Sequence, residues 1–311
     1  MNLTAAPLNP RVFNRRKLLV ATAAVLATSS LQSAAMSSTR KIDAAQRLRT
    51  LEVGQARLGV CILDTSTGEF VGNRLDEHFA MCSTFKLPLV AAYLRESDHG
   101  RMDLNEVLSY SKKDLLPWAP VTGKHVNTGG LSIAMLAQAA QELSDGAAAN
   151  LLVRRIGGPA SVTAKFREMG DSVSRLDRYE PDLGLVLSGD LRDTTTPIAM
   201  AHLVRRFTTG SVLTNASRQR LLAWMENTST GNRRLRAGLP PDWRSGNKTG
   251  TGRTKGTTNK CNDIAITFPP GKSAIIVAAY FDSGEYTQQV EARHEAVLAQ
   301  VGVIAAEWAV S

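Results

Sequence analysis

The stretch Phe79-Ala80-Met81-Cys82-Ser83-Thr84-Phe85-Lys86 places a serine three residues before a lysine, directly ahead of a largely apolar segment. The same spacing recurs at three other places, Ser38/Lys41, Ser109/Lys112 and Ser245/Lys248. The pattern alone is therefore weak. Three further clusters follow it along the chain, Ser144-Asp145-Gly146, Glu180-Pro181 and Lys248-Thr249-Gly250. Their co-occurrence in this order favours a functional interpretation.

Ser83 and Lys86 fall at a predicted helix start, where side chains three residues apart project from the same turn. The helix N-terminus also places positive partial charge beside the serine oxygen. A serine hydroxyl needs a nearby base to become a nucleophile, and a lysine can serve when burial and other cations lower its pKa. The alternative for an isolated pair is that Ser83 caps a helix and Lys86 is solvated. The other three clusters favour the nucleophile.

The four clusters together resemble the class A serine β-lactamases, relatives of the penicillin-binding transpeptidases. The likeness runs from about Thr39 to Ser311 and includes three further stretches, Arg192-Asp193-Thr194-Thr195-Thr196-Pro197, Trp243 to Gly250 and Asn262-Asp263-Ile264-Ala265. The resemblance implies hydrolysis of the β-lactam ring of penicillins and cephalosporins through a serine acyl-enzyme, conferring antibiotic resistance. Two alternatives stay open: a D-Ala-D-Ala peptidase of the penicillin-binding type, and a non-hydrolysing β-lactam sensor.

Apolar periodicity predicts strands near both ends of the mature chain and helices between them. The predicted strands are Arg57–Leu63, Glu69–Asn73, Trp243–Thr251, Asn262–Phe268 and Ser273–Phe281. The predicted helices are Thr39–Glu52, Ser83–Leu94, Ser132–Leu143, Gly146–Ile156, Ala160–Met169, Pro197–Phe207, Arg218–Met225 and Tyr286–Val310. With the resemblance, this order implies an α/β fold of the α+β type: an antiparallel five-stranded sheet flanked by helices, with an inserted all-helical subdomain. We expect an α/β subdomain at 36–78 plus 226–311 and an all-α subdomain at 79–225.

The resemblance also implies roles in acylation. Ser83 would attack the lactam carbonyl, and Lys86 would help to deprotonate it. Ser144 would pass the proton to the departing lactam nitrogen, while Lys248 would supply positive charge near Ser144 and the substrate carboxylate. The backbone N–H groups of Ser83 and Thr251 would form the oxyanion hole, where losing one donor typically costs about 3 kcal/mol of transition-state stabilisation.

Glu180 is the residue that would turn acylation into hydrolysis. A carboxylate beside the ester can deprotonate a water, which is general-base catalysis worth roughly 10²–10⁴ in rate. The segment from Arg175 to Asp193 resembles the family's omega-shaped loop, and we expect an ion pair between those two residues to join its ends. Pro181 permits a cis bond after Glu180 that would aim the carboxylate inward. The alternative is a solvated surface loop.

A substrate-binding set would surround these groups, and the resemblance implies Trp118, Gly146, Gly184, Arg234, Lys248, Thr249, Gly250 and Thr251. Arg234 falls where some family members carry the arginine that binds the substrate carboxylate, which is a charge-assisted contact. Arg233 and Arg236 are close, so any of the three arginines is also compatible with a surface position. Trp118 matches the aromatic gate at the cleft mouth, and its alternative is a core tryptophan.

Two glycines depart from the family pattern. Gly146 stands where most members have an asparagine that bonds the substrate's side-chain amide, so that contact is lost and space is gained. Gly184 stands where an asparagine usually helps Glu180 to hold the hydrolytic water. We therefore expect deacylation to lean on Glu180 alone and to be slow for bulky substrates.

Three cysteines, Cys61, Cys82 and Cys261, allow at most one intramolecular disulfide. Cys82 directly precedes Ser83, as in family members that brace the site with a disulfide. Those members place the partner where this chain has Gly252. Cys261 lies at a neighbouring predicted strand, after a lengthened loop (Arg253 to Lys260), and is a conditional partner for Cys82. Free buried thiols are the alternative.

The first 35 residues indicate an export signal, in which a basic start precedes the apolar run Leu18 to Leu31 and the small residues Ser33-Ala34-Ala35. The segment Asn14 to Leu19 also resembles a twin-arginine signal. We therefore expect a periplasmic or secreted protein that is not associated with a membrane after signal cleavage. Removing the four basic residues of this segment lowers the formal net charge from +9 to +5.

Composition narrows the function classes further. A hydrophobic content of 43% and a charged content of 21% are typical of a soluble globular protein. The basic residues of the mature chain are scattered without aromatic platforms, so no nucleic-acid partner is expected. The five histidines do not cluster, and no metal or other cofactor is expected. With the resemblance, we therefore expect a monomer that acts on a small-molecule β-lactam substrate.

Overall fold

The main sheet joins strands from both ends of the chain. The computed structural model describes residues 42–310, so the predicted export signal at 1–35 and the predicted helix start at Thr39 lie outside the described residues. Five strands lie in the order β2-β1-β9-β8-β7, and every neighbouring pair is antiparallel. They are β1 (Arg57–Asp64), β2 (Phe70–Asn73), β7 (Arg244–Gly252), β8 (Lys260–Phe268) and β9 (Ile275–Asp282). The predicted antiparallel five-stranded sheet is confirmed.

The central strands β1, β8 and β9 are buried at nearly every position. Continuous burial, instead of alternation, means that both faces of the sheet are covered. Ile and Val recur in these strands, because β-branched residues pack well on a pleated surface. Two pairs of two-residue strands were not predicted, because such segments have no periodicity; they are β3 (Phe79–Ala80) with β6 (Thr194–Thr195) and β4 (Val107–Leu108) with β5 (Leu131–Ser132).

Eight helices surround the sheet within the described residues. They are α1 (residues 42–50), α2 (Lys86–Asp98), α3 (Ile133–Glu142), α4 (Gly146–Arg155), α5 (Pro159–Glu168), α6 (Pro197–Thr208), α7 (Asn215–Glu226) and α8 (Ala292–Val310). Four of them begin at side chains that accept a hydrogen bond from a backbone N–H three residues later, which are Ser132, Asp145, Thr196 and Thr214. Such caps satisfy an N–H group that the helix itself leaves free.

Two hydrophobic cores lie on the two faces of the sheet. The larger one packs α2 and its helical neighbours together, with Tyr93, Phe166 and Phe207 fully buried. The smaller one packs Leu48 and Trp308, from the first and last described helices, against β1, β8 and β9. Ten of the thirteen residues of α2 are buried, so this helix runs through the protein interior. Lys86 at its start is therefore enclosed by protein.

From Asp43 onward the chain forms one compact unit. The predicted division into subdomains at 36–78 plus 226–311 and at 79–225 stays a prediction. None of the helices between residues 42 and 310 has the length and apolarity needed to cross a membrane.

The structure corrects two predicted helix starts. The last helix begins at Ala292 and not at Tyr286, because Asn259 donates to the carbonyls of Thr287 and Gln289, at 3.1 and 3.2 Å, and so holds this segment in a loop. Ser83 lies in the 3₁₀ turn Cys82–Phe85 that precedes α2, so it is not in the first α-helical turn.

Candidate active site

Ser83 lies where the 3₁₀ turn passes under strand β7. A Cβ atom added at Gly250 would come within 2.7 Å of the Met81 carbonyl oxygen, so this close approach requires glycine. The Thr84 hydroxyl donates to the same carbonyl at 2.7 Å and fixes the turn. Thr251 follows Gly250 on β7, and its role in an oxyanion hole with Ser83 stays a prediction.

Lys86 Nζ is the centre of the polar cluster. It donates to Ser83 Oγ at 2.9 Å and to the Ser144 carbonyl at 3.0 Å, and its distance to Ser144 Oγ is 3.4 Å. It also forms an ion pair with Glu180 Oε1 at 2.9 Å. The side chain is only 1% exposed, so the predicted alternative of a solvated lysine is wrong.

Glu180 reaches Ser83 from the omega loop (residues 175–193). Ser83 Oγ donates to Glu180 Oε1 at 2.8 Å. Asn150 on α4 fixes the loop, because its side chain accepts from the Glu180 N–H at 3.0 Å and donates to the Glu180 carbonyl at 2.8 Å. The Glu180–Pro181 peptide bond is cis. Sequence reasoning missed Asn150, since nothing local marks a bond between residues 30 positions apart.

The charge state of Glu180 follows from competing effects. Burial opposes ionisation, but the charge of Lys86, the hydrogen bonds from Lys86 and Ser83, and the charge of Lys248 outweigh it. The pKa of Glu180 therefore lies below its ordinary value. A buried, ionised carboxylate in contact with the serine hydroxyl can act as a general base.

The predicted ion pair between Arg175 and Asp193 is wrong. Asp193 instead accepts from Arg178 Nε at 2.6 Å, while Arg175 pairs with Asp177. Asp193 is fully buried and also accepts from the backbone N–H groups of Asp177 and Arg178, at 2.7 and 3.0 Å, which places Arg178 as its partner. Several arginines and aspartates lie close together in this loop, so no local pattern in the sequence selects the pair.

Ser144 and Lys248 face Lys86 from two other elements. Lys248 Nζ on β7 donates to Ser144 Oγ and to the Thr249 carbonyl, both at 3.0 Å. Ser144, just before α4, has a φ of 57°, in the left-handed region that few residues other than glycine adopt. Burial, together with the charge of Lys86, holds the pKa of Lys248 well below its ordinary value, although Asp263 and Glu180 oppose that shift. The Ser144 hydroxyl thus lies between two amines and can relay a proton.

Arg234 is the buried member of its arginine group. It is 6% exposed and donates to Thr251 Oγ1 at 2.9 Å and to the carbonyls of Gly250 and Asn262 at 3.0 and 2.9 Å. Arg233 has a side chain that is 75% exposed. Arg236 donates to the backbone carbonyl of Thr228 at 2.7 Å.

The sequence missed the residue that orients Arg234. Glu295 on α8 accepts from Arg234 Nε at 3.3 Å and pairs with Arg233 at 2.7 Å. Thr249, which precedes Gly250 on β7, has its Oγ1 atom 2.8 Å from Thr230 Oγ1. Guanidinium, hydroxyl and ammonium groups therefore converge along β7, which suits a carboxylate ligand.

Trp118 and Gly146, two members of the predicted substrate-binding set, are neighbours in the structure. Trp118 is 60% exposed and its indole N–H donates to the Leu143 carbonyl at 2.9 Å, so the alternative of a core tryptophan is wrong. The Gly146 N–H donates to the Trp118 carbonyl at 3.1 Å. A Cβ atom at Gly146 would lie 3.0 Å from Leu116 Cδ1. The space expected beside Gly146 is therefore partly filled by Leu116.

Asp145 anchors this wall to the catalytic cluster. Its carboxylate accepts from the N–H groups of Val121 and Thr122, both at 2.9 Å, and from the Thr122 hydroxyl. It also caps α4 through the Ala148 N–H at 2.9 Å. At the other edge of the site, a Cβ atom at Gly184 would meet Thr254 Oγ1 at 3.4 Å, an ordinary contact, so a side chain fits there.

All three cysteines are free and buried, so the conditional bridge between Cys82 and Cys261 is not formed. Cys82 packs with Ala80 and Val186, whereas Cys261 belongs to the core on the other side of the sheet. Burial raises the pKa of both thiols to about 12. A Cβ atom at Gly252 would lie 3.0 Å from Cys82 Sγ, so the position facing Cys82 holds glycine.

Within residues 42–310, no group of three or more histidine, cysteine, aspartate or glutamate side chains could hold a metal ion. The site is built from serine, lysine and glutamate side chains at hydrogen-bonding distances.

Comparisons with known proteins give β-lactamases as relatives of this chain. A family model described as the β-lactamase enzyme family matches residues 42–309. The β-lactamase CTX-M-8 of Citrobacter amalonaticus is 40% identical over 291 residues, which cover 93% of this chain and 97% of that protein. The carbapenem-hydrolysing β-lactamase KPC of Klebsiella oxytoca is 42% identical over 223 residues, covering 72% of this chain and 75% of that protein. Among solved structures, an ancestral class A β-lactamase (GNCA) has a TM-score of 0.80 at 47% identity and covers 85% of this chain and 99% of that chain.

Proposed function

The chain belongs to the β-lactamase enzyme family, and from this premise we propose that it hydrolyses penicillins and cephalosporins through an acyl-enzyme on Ser83, conferring antibiotic resistance. The observation that carries the proposal is the contact of Glu180 Oε1 with both Ser83 Oγ, at 2.8 Å, and Lys86 Nζ, at 2.9 Å. The Ser83 hydroxyl, the Lys86 amine and the Glu180 carboxylate are thus in mutual contact.

In acylation, Ser83 Oγ attacks the lactam carbonyl carbon and must lose its proton. Two acceptors lie within reach: Glu180 Oε1 at 2.8 Å, and Lys86 Nζ at 2.9 Å once it has passed a proton to Glu180. In both routes positive charge remains beside the developing alkoxide. The backbone N–H groups of Ser83 and Thr251 stabilise the negative charge that forms on the carbonyl oxygen.

Opening of the ring breaks the C–N bond, and the departing nitrogen takes a proton. Ser144 Oγ donates that proton and recovers one from the amines beside it, since it lies 3.0 Å from Lys248 Nζ and 3.4 Å from Lys86 Nζ. Lys248 and Arg234, with Thr249 and Thr251, bind the substrate carboxylate on β7. The cationic lining explains why an anionic substrate is held here.

In deacylation, Glu180 takes a proton from a water that attacks the ester carbonyl. Its lowered pKa keeps the carboxylate ionised and ready for this step at neutral pH. The ester bond between the carbonyl carbon and Ser83 Oγ then breaks, and Ser83 Oγ takes the proton back from Glu180, 2.8 Å away. The products are the ring-opened acid and free Ser83. A D-Ala-D-Ala peptidase or a β-lactam sensor shares the Ser83/Lys86 pair, but neither reading accounts for the contact of Glu180 with Ser83.

We further propose that the protein is exported and acts as a monomer in the periplasm after loss of residues 1–35. The supports are the basic and apolar start of the sequence and the small residues at its predicted cleavage site. Neither a cofactor nor a nucleic-acid partner enters this proposal.

Turnover of a chromogenic cephalosporin tests the proposed function. We expect many product molecules for each enzyme molecule and no lasting mass adduct on the wild-type protein. A single stoichiometric burst with a persistent adduct favours the sensor instead. Cleavage of a D-Ala-D-Ala peptide without turnover of the cephalosporin favours the peptidase.

A further inference from the structure

A cavity of about 810 Å³ lies behind the omega loop, apart from the catalytic groups. Residues 186–191 of that loop form one wall, and residues 256–258 between β7 and β8 form another. None of Ser83, Lys86, Ser144 and Glu180 lines it. Its volume falls within the range of small-molecule sites, about 300–1,000 Å³.

The cavity has an apolar floor and an apolar rim. The floor is made of side chains that are buried in the protein, namely Phe79, Ala80, Val186 and Phe281. The rim carries three large hydrophobic side chains that are exposed to solvent, Leu187, Leu191 and Tyr286, at 56%, 50% and 44%. Apolar groups that converge on a concave, solvent-open surface are typical of a ligand-binding groove.

The two lysine and arginine side chains that line the cavity already hold carboxylates. Arg57 pairs with Glu77 at 2.8 Å, and Lys260 pairs with Asp282 at 2.9 Å. Their positive charge is therefore neutralised by partners in the same wall. An anionic ligand would have to compete with these carboxylates for its counter-charge.

Two more carboxylates remain. Asp76 is exposed, and the structure of residues 42–310 records neither a hydrogen bond nor an ion pair for it. Asp190 lines the opposite wall and is held by Arg192 at 2.8 Å, a side chain that does not line the cavity. Among the described Asp, Glu, Lys and Arg side chains that line the cavity, Asp76 is therefore the one whose charge is not paired, and that charge is negative.

We propose that this cavity binds an amphipathic organic cation, with its hydrophobic body on the Phe79 and Phe281 floor and its protonated amine toward Asp76. Such a ligand has the opposite charge from the carboxylate that β7 accommodates beside Lys248 and Arg234. The cavity site therefore goes beyond the proposed function and does not depend on it.

The cavity also lies next to the support of the nucleophile. Ala80 and Val186 line it and pack against Cys82, the residue before Ser83. Asn262 lines it too and donates to the carbonyls of Ala80 and Met81, at 2.8 and 3.2 Å. One layer of side chains thus separates the two sites.

Three probes that share an indole ring and a two-carbon chain but differ in charge test the proposal: tryptamine, the neutral tryptophol and the anionic indole-3-propionate. Amide NMR shifts of the labelled protein report both the affinity and the location. We expect saturable tryptamine shifts centred on Leu187 and Leu191. Tryptophol should bind about threefold more weakly, which is the scale of one solvent-exposed charge pair. Indole-3-propionate should bind more weakly still.

Three variants make the test specific. Leu187→Lys places a like charge on the rim and should weaken tryptamine at least about threefold, whereas Leu185→Lys, on the same loop but outside the cavity lining, should leave it unchanged. Asp76→Asn should weaken tryptamine and leave tryptophol unchanged. The proposal is overturned by equal binding of the three probes, by shifts centred on Trp118 and Lys248, or by no saturable binding up to about 10 mM.

Discussion

Ser83 and Lys86 belong to a turn and a helix that run through the core, whereas Glu180 belongs to a loop whose regular structure is the three-residue turn Asp182–Gly184. We call the first pair, with Ser144 and Lys248, the acylation half of the proposed site. We call Glu180 with its loop the hydrolysis half, because Glu180 is the proposed base for the attacking water. Backbone hydrogen bonding and core packing position the first half. Individual side chains that bond to backbone groups position the second, so we expect it to be the easier half to break.

Among the residues that support the site, the largest effect is expected from releasing the omega loop. Arg178→Gln removes the partner of the fully buried Asp193, and a buried charge left unpaired is costly. A shift of about 1 Å in a catalytic group can cost about a hundredfold in rate, so deacylation should fall by up to that factor. Stopped-flow measurement of the deacylation rate checks this.

The matched control is Arg175→Gln. The side chain of Arg175 is 46% exposed and pairs with Asp177 on the surface, and such pairs contribute little. We expect its deacylation rate to stay within about twofold of the wild type. Equal losses of deacylation rate in the two variants would show that the pair between Arg178 and Asp193 does not hold the loop.

A pH-dependent stability effect should arise in the acylation half. Burial raises the pKa of Asp263 to about 6, from 3.8, although Asn247 donates to it at 2.8 Å. Because the folded-state pKa is raised, the favourable contribution is complete below about pH 4 and is lost as the pH rises through about 6. Asp263→Asn removes this loss, so its stability relative to the wild type should grow by a few kcal/mol between these pH values and then stay level.

Denaturant unfolding of both proteins from pH 4 to pH 8 measures that difference. The amide keeps an acceptor oxygen for Asn247, so the hydrogen bond is retained while the charge is removed. A stability difference that does not change with pH would mean that Asp263 is not penalised by its burial.

A smaller effect is expected at the carboxylate-binding wall. Arg234→Gln removes a buried guanidinium that donates to Thr251 Oγ1 and to two strand carbonyls. Hydrogen bonds to charged groups contribute about 1.5–3 kcal/mol, so kcat/KM for benzylpenicillin should fall at least about tenfold. Arg233→Gln is the matched control, because that side chain is largely exposed, and it should change kcat/KM little. The reverse order would assign substrate binding to Arg233.

The smallest effect is expected at Gly184, next to Glu180 on the loop. An added side chain has room, since its Cβ atom would meet Thr254 Oγ1 at 3.4 Å. Gly184→Asn should therefore raise the deacylation rate a few-fold by giving the hydrolytic water a second hydrogen-bond partner. Gly184→Ala adds the Cβ atom without the amide and should not. Unchanged burst and steady-state rates in Gly184→Asn would count against the view that Glu180 acts alone.

The contrast between the halves also explains what could be predicted from the sequence. The sheet and most helices follow from local periodicity, and the clusters around Ser83, Ser144 and Lys248 lie at the starts of helices or on a strand that such patterns define. The structure brings these residues together with Glu180 in one cluster. Local pattern was therefore sufficient to predict the elements that carry these residues, whereas their roles were implied by the resemblance to the class A serine β-lactamases.

The support of the site is not local, and there the sequence was insufficient. Asn150 bonds to Glu180 across 30 positions, and Glu295 bonds to Arg234 across 61. No spacing rule relates such pairs, because the fold and not the chain brings them together. The incorrect prediction of Arg175 as the partner of Asp193 has the same cause. Nothing in the local sequence distinguishes Arg175 from Arg178, and only the folded loop brings Arg178 to Asp193.

The separability of the two halves is tested most directly by Glu180→Gln, followed by intact mass after mixing with benzylpenicillin. In this variant Lys86 must give its proton to water, instead of to Glu180, before it can accept the proton of Ser83. We therefore expect acylation to continue at a reduced rate, while the loss of the general base slows hydrolysis by more, about 10²–10⁴. We predict that the protein accumulates as the covalent penicilloyl adduct. A variant that stays unmodified, whether it turns penicillin over at the wild-type rate or not at all, would contradict the account.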